Sequence, residues 1–239
     1  MKNAFCSACL IFSALALPHL SNASSYIYTV PATANISSAG LGVSVAPGGG
    51  GAGTLPIFVP IDAGQQYITI NASGSVSQAG PGYYHDADGY TSWGSDIYAY
   101  GGISGFKADV ALPLTAVFLT DAAPEAPAPA TIDFRAQGLG LNFSTLSPLI
   151  GQVFFVGDGE SASQVVQEFF IPEGATRLFL GFCDAPYSTG PVGAFNDNVG
   201  SLSVSVVTVV PEPCAISILA LGGLIWWSRR DSRLCETRH

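Results

Sequence analysis

Two stretches of this chain alternate residue by residue. In Tyr67-Ile68-Thr69-Ile70-Asn71-Ala72 and in Ser201-Leu202-Ser203-Val204-Ser205-Val206, every second side chain is aliphatic and its neighbours carry polar groups. A period of two puts the aliphatic set on one face of a pleated strand, so each stretch predicts a strand with one buried and one wetted face. Strand-like runs at 152–156, 168–171 and 177–182 add three more, while helical periodicity is nearly absent. Glycine, proline, serine and asparagine punctuate these runs, as turns require. The expectation is an all-β chain: a single antiparallel β-sandwich, of jelly-roll or galactose-binding-like form, over residues 24–209. Pro172-Glu173-Gly174 predicts a tight turn, because proline presets φ and glycine accepts the left-handed region. Residues 48–53 predict a flexible glycine loop, and the Pro/Ala segment 122–130 a surface insertion.

The two ends have a different composition. Lys2 precedes an apolar run at 4–17, and Ser21-Asn22-Ala23 places small residues where a signal peptidase inspects them. Residues 1–23 therefore read as a signal peptide, and its removal by signal peptidase means export. At the other end, Val210-Pro211-Glu212-Pro213 is followed by an uncharged run at 214–227, ending in Trp226-Trp227 and then Arg229-Arg230. The prolines stop any regular element, the apolar run suits lipid, and the tryptophans and arginines suit an interface and its cytoplasmic side. A helix of 214–227 would be roughly 21 Å long against a hydrocarbon core of about 30 Å, which favours a transient anchor over a permanent span.

This three-part tail, residues 210–239, resembles the PEP-CTERM sorting signal of Gram-negative bacteria. The resemblance implies an exosortase as partner, reading Pro211-Glu212-Pro213 after export across the inner membrane. It also implies a transient membrane anchor and a final place in the envelope, on the surface or outside the cell.

Between residues 24 and 212 three basic residues (Lys107, Arg135, Arg177) face fifteen acidic ones, a net charge of −12. Such a surface repels nucleic acid and anionic lipid and attracts cations. Cys183 is the one cysteine in that span, so neither a disulfide framework nor a thiolate cluster can form within it. Its setting in Leu178-Phe179-Leu180-Gly181-Phe182-Cys183 reads as a core strand, with the thiol a small buried hydrophobe.

One polar constellation has chemistry to offer. Asp184 follows directly on that strand, and Asn196-Asp197-Asn198 leads into the last one. Carboxylate and amide oxygens gathered at two strand ends are hard ligands, of the kind calcium takes in sets of about six to eight. Asp and Asn at strand ends also simply make turns, and the residue types alone leave both readings open.

The stretch from Ile61-Asp62-Ala63-Gly64 to Ser205 resembles the calcium-dependent, galactose-binding bacterial lectins of the PA-I type. Pro148-Leu149-Ile150-Gly151, Phe170-Ile171-Pro172 and above all Asp197-Asn198-Val199-Gly200-Ser201 carry that resemblance. It implies a Ca²⁺ ion held by Asp184, Asp197 and Asn198, with the backbone carbonyl of Gln78 as a further ligand. Sugar hydroxyls would complete the shell, so Asp184, Asp197 and Asn198 are ligand-binding residues as well. Residues 80–94, with His85, Asp86, Asp88, Tyr90 and Trp93, would form the second sugar-contact loop, His85 being its candidate contact.

Enzyme readings fare poorly. Asp86-Ala87-Asp88-Gly89 starts like an EF-hand, but Thr91 and Ile97 stand where that loop needs glycine and glutamate. His85 is the one histidine between residues 24 and 212, and no His-Glu-x-x-His or Gly-x-Ser-x-Gly pattern occurs. The reading that results is a non-enzymatic, exported, calcium-dependent carbohydrate-binding protein acting on exopolysaccharide or biofilm matrix. A structural surface or matrix protein without a sugar site is the alternative, and a polysaccharide hydrolase a weaker one.

Overall fold

The computed structural model describes residues 23–210. The expected signal peptide up to Asn22, and the sorting tail from Pro211 with Glu212, Pro213, Arg229 and Arg230, lie outside the described residues; Val210 is the last one inside. Among the described residues there is no α-helix, only single 3₁₀ turns at Ile36–Ser38, Pro186–Ser188 and Phe195–Asp197. No helix among them is long and apolar enough to cross a membrane.

The strands, in chain order, are β1 (Ala23–Pro31), β2 (Ile57–Pro60), β3 (Tyr67–Ser77), β4 (Ser95–Ile97), β5 (Phe106–Ala108), β6 (Thr115–Leu119), β7 (Asp133–Phe134), β8 (Thr145–Leu146), β9 (Phe154–Phe155), β10 (Glu168–Phe170), β11 (Arg177–Gly181), β12 (Thr189–Gly190) and β13 (Val199–Val209). They form one five-stranded sheet, β1-β13-β3-β10-β8, and two four-stranded sheets, β2-β11-β6-β9 and β12-β4-β5-β7.

The alternation at 67–72 and 201–206 has its structural counterpart here. β13 lies between β1 and β3 and pairs antiparallel with both, Val204 sitting opposite Tyr28 on one side and Ala72 on the other. Leu202, Val204 and Val206 are buried with Ile68, Ile70 and Ala72, while Ser203 and Asn71 face outward. On the outer face the Ser25 and Ser205 hydroxyls meet at 3.2 Å. In the second sheet β11 pairs antiparallel with β2 and β6.

The expected all-antiparallel sandwich needs correction at its periphery. β8–β10, β4–β12 and β5–β7 pair in parallel, over two residues each, and the last two pairs belong to a third sheet. These strands are too short to show a period of two, which is why the sequence pattern passes over them.

A run of phenylalanines joins the sheets. Phe118 on β6 stacks on Phe154 of β9 at 5.4 Å, and Phe154 meets Phe169 of β10 at 5.1 Å. Phe143 then bridges Phe169 to Phe134 of β7, which contacts Phe106 of β5. Cys183 is buried and unpaired, and burial raises its pKa, so it packs as the small hydrophobe expected. The 172–174 turn forms as expected, the Ala175 N–H donating to the Pro172 carbonyl at 3.1 Å.

The 48–53 loop does not behave as a free glycine linker. Gly48 N–H donates to the Val192 carbonyl at 2.7 Å, and the Gly49 and Gly50 carbonyls accept from Ala194 and Asn196 N–H at 2.8 and 3.0 Å. A Cβ on Gly48 would run into the Pro191 carbonyl, and one on Gly51 into the Asn196 side chain. Glycine is used here for close backbone approach more than for mobility. Asn35, fully buried, holds the base of this loop by donating to the Val45 and Ala52 carbonyls at 2.8 and 3.1 Å.

Phe154→Ala should destabilise the protein by about 3–5 kcal/mol, since it deletes a ring packed between two sheets. Phe58→Ala, at a half-exposed ring on β2, should cost less than half as much. Urea unfolding of both variants measures the difference; equal costs would contradict the assignment of Phe154 to the joint between sheets.

Candidate functional site

Three strand ends converge at one edge of the sandwich. β3 ends at Ser77, whose register partner is Val199, the first residue of β13. Gln78 therefore leaves the sheet beside Asn198, which enters it. From the second sheet, β11 ends at Gly181 and the chain continues as Phe182, Cys183 and Asp184. The Phe182 N–H donates to the Ala34 carbonyl at 2.7 Å, and its carbonyl accepts from Ile36 N–H at 3.0 Å. Asn198 Nδ2 donates to the Ala32 carbonyl at 3.3 Å. Segment 32–36 thus braces both the Asp184 approach and Asn198, across two sheets.

Gln78, Asp184 and Asp197 line one cleft of about 600 Å³, together with Trp93, Tyr187 and Ser188. Asn198 is buried, and its side chain interacts with the Asp184 carboxyl. Four residues from three chain segments, Gln78, Asp184, Asp197 and Asn198, are thereby brought to one place.

What distinguishes the cleft is its unpartnered oxygen. Asp184 is 4 % exposed, Asn198 5 % and Gln78 6 %. Asp184 Oδ1 accepts from the Ala185 N–H at 2.8 Å, but Asp184 Oδ2, Asn198 Oδ1 and both amide atoms of Gln78 are buried with no protein partner. Each buried acceptor left unpaired costs about 1–3 kcal/mol, more for a charge. Asp197 is exposed on the rim, and its carbonyl accepts from Gly80 N–H at 2.7 Å, which anchors the start of the 80–94 loop. The sequence pointed to the backbone of Gln78; the structure adds its side chain, buried and unsatisfied.

Burial pushes the Asp184 carboxyl up to about 8, and the nearby Asp197 charge adds to the rise. The Asn198 side chain and the Ala185 N–H pull the other way. A group that resists ionisation this strongly, in a cleft with unpaired oxygens around it, is short of positive charge. Two carboxylates with amide and backbone oxygens suit a hard cation such as calcium. Among the described residues no three His, Cys, Asp or Glu side chains gather to hold a metal, so a cation here would depend on the amides.

Residues 185–195 form the far side of the cleft. Gly193 N–H donates to the Asp184 carbonyl at 3.0 Å, folding the loop back onto the strand end. The docked glycine segment 48–51 then holds 191–196 from behind. Within the loop, Tyr187 and Ser188 have φ of 58° and 56°, left-handed backbone on non-glycine residues.

The 80–94 loop folds on its own rings. Tyr83 and Tyr90 contact Trp93 at 5.5 and 5.3 Å, and His85 contacts Tyr90 at 6.2 Å. Trp93 is the member of this group that reaches the cleft. His85 instead bridges to Val76 through its backbone, and its Nδ1 lies 2.8 Å from the Asp86 carbonyl. Burial lowers the pKa of the imidazole, opposed by the Asp86 carbonyl and carboxylate. His85 is not among the cleft's lining residues. Asp86 makes a local turn, its Oδ1 accepting the Asp88 N–H at 3.1 Å.

No protein-family model matches this chain. No curated protein matches it either. Among solved structures, the N-terminal domain of EclA, described as a PllA-like lectin, is similar over 77% of this chain and 95% of its own. The two share 18% sequence identity, with a TM-score of 0.32.

The raised Asp184 pKa has a signed consequence for the metal-free protein. The unfolded carboxyl loses its proton near 3.8, the folded one near 8, so between these values the native state holds the extra proton. Stability in EDTA should therefore fall as pH rises across that window, and Asp184→Asn should flatten the slope. Thermal melts in EDTA at several pH values test this; a wild-type midpoint that does not fall would contradict it.

Proposed function

We propose that residues 24–209 form a calcium-dependent carbohydrate-binding domain of a protein that is exported and sorted to the cell envelope. The observation that carries this reading is the set of buried, unpartnered oxygens on Asp184, Asn198 and Gln78 beside the Asp197 carboxylate. A cation would give these oxygens a common partner and let Asp184 ionise, whereas without one burial keeps that carboxyl protonated. Calcium would be held by Asp184, Asp197, Asn198 and an oxygen of Gln78, and would offer its remaining positions to ligand hydroxyls. The net charge of −12 over residues 24–212 favours cation uptake.

The cleft supports ligand binding over a purely structural calcium staple. It is open, of a volume usual for ligand sites, and pairs a few convergent polar groups with the half-exposed ring of Trp93. A sugar presents hydroxyls on its edge and C–H groups on its face, which the oxygens and the indole respectively suit. Exopolysaccharide or biofilm matrix is the ligand class that goes with an envelope address. The address itself rests on the sequence, through the signal peptide at 1–23 and the 210–239 tail, processed by signal peptidase and exosortase.

Calcium bound by the native state alone should raise stability by about 2.7 kcal/mol at a hundredfold excess over Kd. Asp184→Asn and Asp197→Ala should abolish that increment, and Gly48→Ala should diminish it by displacing the loop behind the site. Asp86→Asn, at a local turn, should leave it intact. Thermal unfolding of the purified full chain in EDTA and in millimolar calcium reads all four; an unchanged wild-type midpoint would contradict the metal site.

Replacing Pro211 and Pro213 by alanine should leave signal-peptide cleavage intact and block maturation of the tail, because the two signals act separately. Mass measurement in a strain carrying its exosortase checks this. A double variant maturing to the wild-type mass would rule the sorting assignment out.

A further inference from the structure

Tyr187 is the most exposed large hydrophobic residue among the described residues, standing fully in solvent, yet its backbone is constrained. Its φ of 58° and ψ of 27° lie in the left-handed region, and Ser188 follows it there with φ of 56°. A tyrosine in that region pays for its Cβ, and glycine would hold the same turn without strain. The turn is closed by Ser188 N–H donating to the Ala185 carbonyl at 2.8 Å, a bond that needs nothing from the Tyr187 side chain. Packing does not call for the ring either, since it is fully exposed and has no aromatic partner. Strain kept at an exposed position in a cleft points to a use for the side chain.

Tyr187 is nevertheless one of the residues lining the same cleft as Trp93, Asp184 and Asp197, so its exposed ring stands at the mouth of that cleft. Trp93 comes from the 80–94 loop and Tyr187 from 185–195, so the lining of the cleft holds one aromatic residue from each of two loops besides its polar cluster. We propose that Tyr187 is a specificity-determining residue, a second aromatic platform that makes the cleft select an extended saccharide of two or more sugar units over a single sugar. This rests on the reading of the cleft as a calcium-dependent sugar site. A sugar unit held at the polar cluster beside Trp93 leaves the Tyr187 ring free, and the next unit along the chain has a C–H face to lay on it. The phenolic hydroxyl adds a donor and acceptor at the rim.

The test compares wild type, Tyr187→Gly and Tyr187→Phe as full chains on a printed array carrying monosaccharides beside oligosaccharides that end in the same sugars. Calcium affinity by calorimetry and the thermal midpoint are read in parallel. Tyr187→Gly should keep the midpoint, because glycine relieves the left-handed strain, and keep calcium affinity. Its oligosaccharide binding should fall by about fivefold or more relative to its monosaccharide binding. Tyr187→Phe, which retains the ring, should restore the preference. An unchanged preference for oligosaccharides in Tyr187→Gly would overturn the assignment of Tyr187 alone, as would an equal loss for both classes. A wild type that binds neither calcium nor any glycan would overturn the sugar-site reading and the Tyr187 assignment together.

Discussion

β13 is hydrogen-bonded on both sides, to β1 and β3, and its inward side chains Leu202, Val204 and Val206 form the centre of the largest sheet. A strand fixed on two sides cannot slide, because a one-residue slip would turn that whole set outward. Its first residue follows directly on Asn198, so the register that builds the core also fixes where Asn198 and Asp197 stand. β3, locked to the same strand, places Gln78 next to them. The remaining partner, Asp184, arrives from a different sheet, and segment 32–36 ties the two together through bonds to Phe182 and Asn198.

The consequence is a rigid set of oxygens that the fold itself leaves unpaired. Most proteins satisfy buried acceptors with backbone donors or water. Here two nearby backbone donors are turned to carbonyls, Gly193 N–H to that of Asp184 and Gly80 N–H to that of Asp197, and Asn198 Nδ2 donates to the Ala32 carbonyl. Such an arrangement is unfavourable as it stands, and the calcium proposed above is what would relieve it. The glycine segment 48–51 contributes by lying close against 191–196, where a Cβ at Gly48, Gly50 or Gly51 would run into Pro191, Ala194 or Asn196.

Much of this was legible in the residues and some was not. The alternation at 67–72 and 201–206 marked β3 and β13 because one face of each is buried and the other wet. The acidic and amide residues at 184 and 197–198 could be placed at strand ends because both segments adjoin strong strand signals, but residue type alone left open whether they make turns or bind a ligand. Two-residue strands such as β7, β8 and β12 carry no periodicity, so the third sheet and its parallel pairs were invisible. Residues 48–53 read as flexible because a glycine chosen for freedom and one chosen for close approach look alike in sequence. The Gln78 side chain and the Tyr187 backbone strain depend on burial and dihedral angle, for which no residue pattern stands proxy. His85, a candidate on residue type alone, sits against Tyr90 and the backbone of Asp86 rather than among the residues lining the cleft.

The central claim is that one cation links the strand-end oxygens to a sugar. Its most direct test is glycan-array binding of the full chain measured in calcium, then in excess EDTA, then with calcium restored. Binding that is present, lost and recovered in that order is the predicted result. Glycan binding that persists unchanged in EDTA would contradict it.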